Sequence, residues 1–146
     1  MFDKKIEIMK LNFVKASELD GNIKATIHKS GKLGFSSGAH KKLELDKNRF
    51  IKIAFGEDYS ETKILFAILH EDEDTDSFNI AKAGDYYYGN TKALFDELEI
   101  DYETQKVIYD IKETQYDGKK IFKLKPRIFE REKKYGNEKD INEVEQ

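Results

Sequence analysis

Apolar and polar residues alternate in short runs along most of the chain, the period-two signature of half-buried strands. Ile6 and Ile8, then Leu11 and Phe13, alternate with a slip of one residue near Met9, which predicts a bulged strand or two short ones. Gly21-Asn22 reads as a turn. Ile23, Ala25 and Ile27 alternate with Lys24, Thr26 and His28; Ser30-Gly31 turns the chain, and Leu33 and Phe35 carry a second short strand. Ser36 and Ser37 offer N-cap oxygens, and Ala39 and Leu43 stand one helical turn apart, so a short helix to about Glu44 is expected. Ile51, Ile53 and Phe55 share one face of a further strand, and Ile64 to Leu69 is an apolar run of buried-strand length.

After the acidic stretch Glu71 to Ser77 the order begins again. Phe78 and Ile80 open a strand, Ala83-Gly84 turns, and Tyr86, Tyr87 and Tyr88 form the return. Asn90 is the expected N-cap of a helix with the stripe Leu94, Phe95 and Leu98. Val107, Tyr109 and Ile111 alternate; Tyr116-Asp117-Gly118 signals a hairpin; Ile121, Phe122 and Leu124 close it, with Pro126 as the expected end of the sheet. The two halves superpose. Thr26-Ile27-His28-Lys29-Ser30-Gly31 matches Asn79-Ile80-Ala81-Lys82-Ala83-Gly84, and Leu43-Glu44-Leu45-Asp46 matches Leu98-Glu99-Ile100-Asp101. The fold expected is α+β and mostly β. Two strand–strand–helix–strand–strand repeats form one pseudo-twofold domain, barrel-like or of curved sheets, with two short helices. The domain is expected over 1–125: an N-terminal strand segment at 1–22, repeats at 23–70 and 78–125, and the acidic linker 71–77. The highly charged 126–146 reads as a tail, an exposed helix or an extension.

Composition narrows the function classes. The absence of cysteine from 146 residues removes disulfides, thiolate metal sites and a cysteine nucleophile. Charges at Asp3, Lys4, Lys5 and Glu7 interrupt any secretory leader, and no apolar run is of membrane-spanning length, so a cytoplasmic protein without membrane contact is expected. Asp72, Asp74 and Asp76 have the spacing that opens a calcium loop, but Ser77 and Ala83 stand where glycine and glutamate are required. His28, His40 and His70 are dispersed without zinc-ligand spacing and are expected at the surface. No nucleophile elbow or phosphate loop is present. Neither an enzyme nor a cofactor is expected.

Charge is uneven. Asn22 to Lys52 holds eight basic residues against two acidic, whereas Ile53 to Phe78 holds eight acidic against one basic. Clustered cations that displace condensed counterions are what phosphate binding requires. Lys24, Lys29, Lys32, Lys41, Lys42 and Arg49 are therefore the candidate nucleic-acid contacts, with Tyr86 and Tyr88 on one strand face as rings for base stacking. The competing reading of the tyrosines is core packing and cross-strand pairing.

The run Thr26 to Phe35, the helix through Ala39 and Leu43, and Phe50 to Leu69 resemble the AbrB/SpoVT family of swapped-hairpin DNA-binding domains. That resemblance implies two interlocked units in a β-barrel, with basic residues around the first hairpin meeting DNA; MraZ-like proteins carry two such units in one chain. Read in another frame, the strands from Phe50 to Tyr88 and the following helix are similar to the Whirly and PUR-type binders of single-stranded nucleic acid, which use curved sheets with exposed aromatics. A DNA-binding regulator or accessory factor, duplex or single-strand, is the leading expectation. A protein-interaction module using the acidic loops or the tail is the other. The oligomeric state stays open. Because Asp85 replaces Lys32 in the second copy, binding is expected mainly on the first.

Overall fold

The computed structural model of the chain describes residues 9–14, 16 and 23–131. Between Ile23 and Arg131 run β1 (Lys24–Ile27), β2 (Leu33–Phe35), α1 (Ser37–Lys42), β3 (Phe50–Ala54), α2 (Tyr59–Thr62), β4 (Leu65–His70), β5 (Phe78–Ala83), β6 (Tyr86–Gly89), α3 (Lys92–Glu97), β7 (Gln105–Tyr116) and β8 (Lys119–Glu130). The strands close into a barrel in the order β1-β2-β6-β5-β3-β4-β8-β7, every neighbouring pair antiparallel. The mostly β fold expected from the alternation is what forms. Closure is the physical solution for strands with one apolar face, because it leaves few unpaired backbone edges.

The barrel is interlocked. Its order places two strands of the first copy, two of the second, two of the first and two of the second. Exchanging β1–β4 with β5–β8 turns each pairing into another. The β1–β2 ladder becomes β5–β6, β3–β4 becomes β7–β8 and β1–β7 becomes β5–β3, while β2–β6 and β4–β8 map onto themselves. Neither copy can close a core alone. Ala25, Ile27, Leu33, Phe35, Ile51, Leu65 and Ala67 from the first copy and Ile80, Tyr87, Phe95, Val107, Tyr109, Ile111, Phe122 and Leu124 from the second fill one interior.

Local chemistry repeats as well. Leu43 N–H donates to Ala39 O, Glu44 N–H to Lys41 O and Leu45 N–H to His40 O; fifty-five residues on, Leu98 donates to Leu94, Glu99 to Asp96 and Ile100 to Phe95. This double closure is a Schellman end, which needs a left-handed residue just past the helix. Glu44 and Glu99 fill that position with φ of 53° and 59°. A side chain with Cβ is strained there, so Glu44→Gly and Glu99→Gly are each expected to raise stability by about 0.5–1 kcal/mol. Lower melting temperatures for both would contradict the strain.

Four sequence expectations are corrected. Of the N-terminal strand segment, Met1 to Ile8 lies outside the described residues, and Leu11 and Phe13 are exposed and not in a strand. Pro126 does not end the sheet: β8 continues to Glu130, with Pro126 opposite Tyr109. The β4 ladder on β8 ends at Leu124, so beyond it β8 is paired on one side only, where a missing N–H is tolerated. The polar turn after Gly56 contains a third short helix, α2. Thr91, not Asn90, caps α3, and its buried hydroxyl is turned away to Gly31 O at 3.0 Å. Of the expected tail, residues 132–146 lie outside the described residues. Among the described residues no helix is long and apolar enough to cross a membrane.

Candidate nucleic-acid interface

Because strand residues alternate inward and outward, the register fixes the composition of the outer wall. Arg127, Ile108, Thr26, Gly34 and Tyr88 lie opposite one another in sequence across β8, β7, β1, β2 and β6. On β1 and β7 the flanking Ala25, Ile27, Val107 and Tyr109 are core residues, so this row faces out. At its β8–β7–β1 end lies a cleft of about 580 Å³ lined by Lys24, Lys29, Lys106, Ile108, Arg127, Phe129, Glu130 and Arg131. Five cations thus surround one carboxylate. Ile108 is 8% exposed although it points outward, so it forms the apolar floor.

The walls of the cleft are held by specific bonds. Arg127 grips Asp110 with two donors, Nε to Oδ2 at 2.6 Å and Nη2 to Oδ1 at 3.0 Å, and its guanidinium lies 5.7 Å from the Phe129 ring centre. This paired, half-exposed geometry raises the Arg127 pKa through the Asp110 hydrogen bond. Arg131 donates to two backbone carbonyls, Tyr102 O at 3.1 Å and Ile27 O at 3.2 Å, and so ties the end of β8 to the end of β1.

His28 stands beside the cleft. Its ring covers Gly34 so closely that a Cβ on residue 34 would meet Nε2 at 2.2 Å, and it lies 5.4 Å from the Tyr88 ring. Burial first, and then the charge of Arg131, lowers the His28 pKa from 6.5. Between that lowered value and 6.5 the unfolded chain binds this proton more readily than the folded one. Stability therefore rises with pH through the window and loses this contribution to the slope above it. Subtracting the pH profile of His28→Gln from that of the native chain should isolate this slope; identical profiles would refute it.

The aromatic face continues the wall. Tyr86 is 64% exposed, Tyr88 is half-buried, and their rings are 6.5 Å apart. Tyr87 points the other way, into the core, with His40 at 4.4 Å and the Arg49 guanidinium at 5.4 Å. The packing reading therefore describes Tyr87, while Tyr86 and Tyr88 share the outer face as their spacing predicts.

The structure divides the remaining sequence candidates. Lys24 and Lys29 line the cleft, and Lys32 is exposed on the turn beside Lys29. Lys41 and Lys42 do not join them: α1 leaves the β1–β2 hairpin from the end opposite its turn, and Lys42 pairs with Glu113 at 3.1 Å. Arg49 is committed to the scaffold, with Nε donating to Ile80 O at 3.0 Å. The acidic connector folds back on the first copy, Glu71 toward Lys47 at 3.8 Å and Asp74 to Lys52 at 2.8 Å, which neutralises part of the basic run. His40 and His70 are half-buried rather than surface residues, His70 sharing a 2.7 Å hydrogen bond with Ser77. Sequence reasoning missed Lys106, which looked like the ordinary polar half of an alternating strand, and Arg127 and Arg131, which fell in the expected charged tail. Their signal was the scarcity of carboxylates on the same face.

Among the described residues no group of three or more His, Asp or Glu is placed to hold a metal ion. The chain matches no protein-family model, no curated protein and no solved structure.

Proposed function

We propose that this chain is a non-enzymatic nucleic-acid-binding protein, a DNA-binding regulator or accessory factor of the cytoplasm, that contacts phosphates through the β1–β7–β8 cleft. The observation that carries the reading is five cations around one carboxylate in an open cleft, on the same outer face as exposed Tyr86 and half-buried Tyr88. Phosphate contacts give affinity by releasing counterions, and exposed rings give stacking that tolerates sequence. The alternation of strand pairs from the two copies supports the swapped-hairpin resemblance. Fluorescence polarisation against labelled duplex and single-stranded DNA is the test. Salt-sensitive binding at micromolar protein is expected, and its absence with both probes would end the proposal.

A second reading rests on Met9, Leu11, Phe13 and Val14, which are 63–85% exposed in one short segment. Clustered exposed apolar side chains are a feature of partner-binding surfaces. On that reading replacing Leu11 and Phe13 with serine abolishes capture of a protein partner, while Lys106→Gln leaves it intact.

A further inference from the structure

We infer that a nucleic-acid backbone continues out of the cleft along the outer face of the β7–β8 ribbon toward its Asp117-Gly118 turn, so that the second copy carries most of the contact. The inference rests on the nucleic-acid reading above and assigns lysines outside the cleft.

The register defines the track. Lys106 faces Phe129, Ile108 faces Arg127, Asp110 faces Lys125 and Lys112 faces Lys123. These are alternate rungs of one ladder, and the rungs between them send Val107, Tyr109, Ile111 and Leu124 into the core. The four outer rungs therefore hold five cations and a single carboxylate, Asp110, which Arg127 already engages. The same-face rung Thr114–Ile121 is uncharged and interrupts the cations, Ile121 being only 6% exposed, and Tyr116–Lys119 follows it at the turn, with Tyr116 70% exposed.

Two features mark this face as built for an anion. Lys112 and Lys123 stand directly opposite each other, an arrangement that costs a sheet stability. Among the described residues no ion pair relieves Lys106, Lys112, Lys123 or Lys125. A local conflict of this kind without a structural benefit is characteristic of functional positions. Toward its turn the ribbon runs past the barrel's other ladders: β1 pairs with β7 no further than Asp110, and β4 pairs with β8 no further than Phe122. Ten residue steps from Lys106 to Tyr116 span about 34 Å, the axial rise of about ten base pairs. Outer-face positions recur every ~7 Å on each strand, a spacing suited to sequence-independent backbone contacts.

The test compares the native chain with the triple variant Lys112→Gln, Lys119→Gln, Lys123→Gln. Polarisation titrations use a labelled duplex of about five base pairs and one of about fifteen, at several salt concentrations between about 50 and 200 mM. The expected result is a loss of 2 to 3 from the slope of log K against log salt on the long duplex, about one per lysine removed. The short duplex, which covers the cleft alone, should bind both proteins equally. Thermal melting of the variant should be unchanged or slightly raised, since a like-charge pair is removed. If the native chain binds and the variant keeps its slope and affinity on the long duplex, the track is wrong while the nucleic-acid reading stands. If the native chain binds neither duplex nor a labelled single strand, both fall together.

Discussion

Phe95→Ala is expected to lower stability by about 3–5 kcal/mol, the usual loss for emptying a buried aromatic site. Phe95 is fully buried on α3 and stacks on Tyr109 with ring centres 6.3 Å apart and planes inclined by 21°. Tyr109 is itself 1% exposed, and its burial, with a smaller contribution from Tyr59, pushes the phenol far above its ordinary titration range. The backbone bond from Ile100 N–H to the Phe95 carbonyl is kept in the alanine variant, so the loss comes from the vacated ring site rather than from the helix end. The repeat supplies an internal control. A shift of fifty-five residues brings His40 to the position of Phe95, with Leu45 bonded to it as Ile100 is to Phe95. His40 is only half-buried and touches Tyr87 instead. His40→Ala should therefore cost about 1 kcal/mol, near the centre of the range for ordinary substitutions. Denaturant unfolding of the two variants checks the difference. Equal losses would mean that the two copies share the core evenly, contrary to the packing.

The second large effect concerns binding. Lys106→Glu combined with Arg127→Glu exchanges two cations of the cleft for two anions. Affinity for DNA at low salt should drop about a hundredfold or more, because each lost phosphate contact also forfeits its counterion release. The fold should survive. The Arg127–Asp110 pair is half-exposed, and exposed pairs are worth ~0–1 kcal/mol. Lys41→Glu with Lys42→Glu makes the same charge change at the opposite end of the first hairpin and should weaken binding far less. A larger loss from the α1 pair than from the cleft pair would return the interface to the sequence-predicted patch. Direct polarisation titrations of both double variants decide between them.

The contrast between these patches shows what the sequence made legible. The repeat was readable because its clearest signature is local. The stretches Leu43 to Asp46 and Leu98 to Asp101 share one helix end, and the bonds that close it span only a few residues. Strand alternation around Ile27, Ile51, Ile80 and Tyr109 was equally visible, since each residue reports its own face. Pro126 misled because its tolerance depends on whether β4 still pairs beside it, which no local pattern records. The cleft was hidden for the same reason on a larger scale. Lys24 and Lys29 belong to the first copy and Lys106, Arg127 and Arg131 to the second, and only the interlocked strand order sets them side by side. A contiguous basic run was conspicuous in sequence, yet folding separates Lys41 and Lys42 from Lys29 and turns Arg49 to a backbone carbonyl.

Whether nucleic acid meets the β1–β7–β8 wall is open to direct measurement. Amide chemical-shift mapping of isotope-labelled protein during titration with a short DNA duplex, and then with a single strand of the same length, tests it residue by residue. Saturable shifts concentrated at Lys24 to Lys29, Lys106 to Asp110 and Lys125 to Arg131, fading as salt is raised, are expected. Shifts centred on α1 and the acidic connector, or no salt-sensitive shifts with either strand form, would contradict contact at that wall.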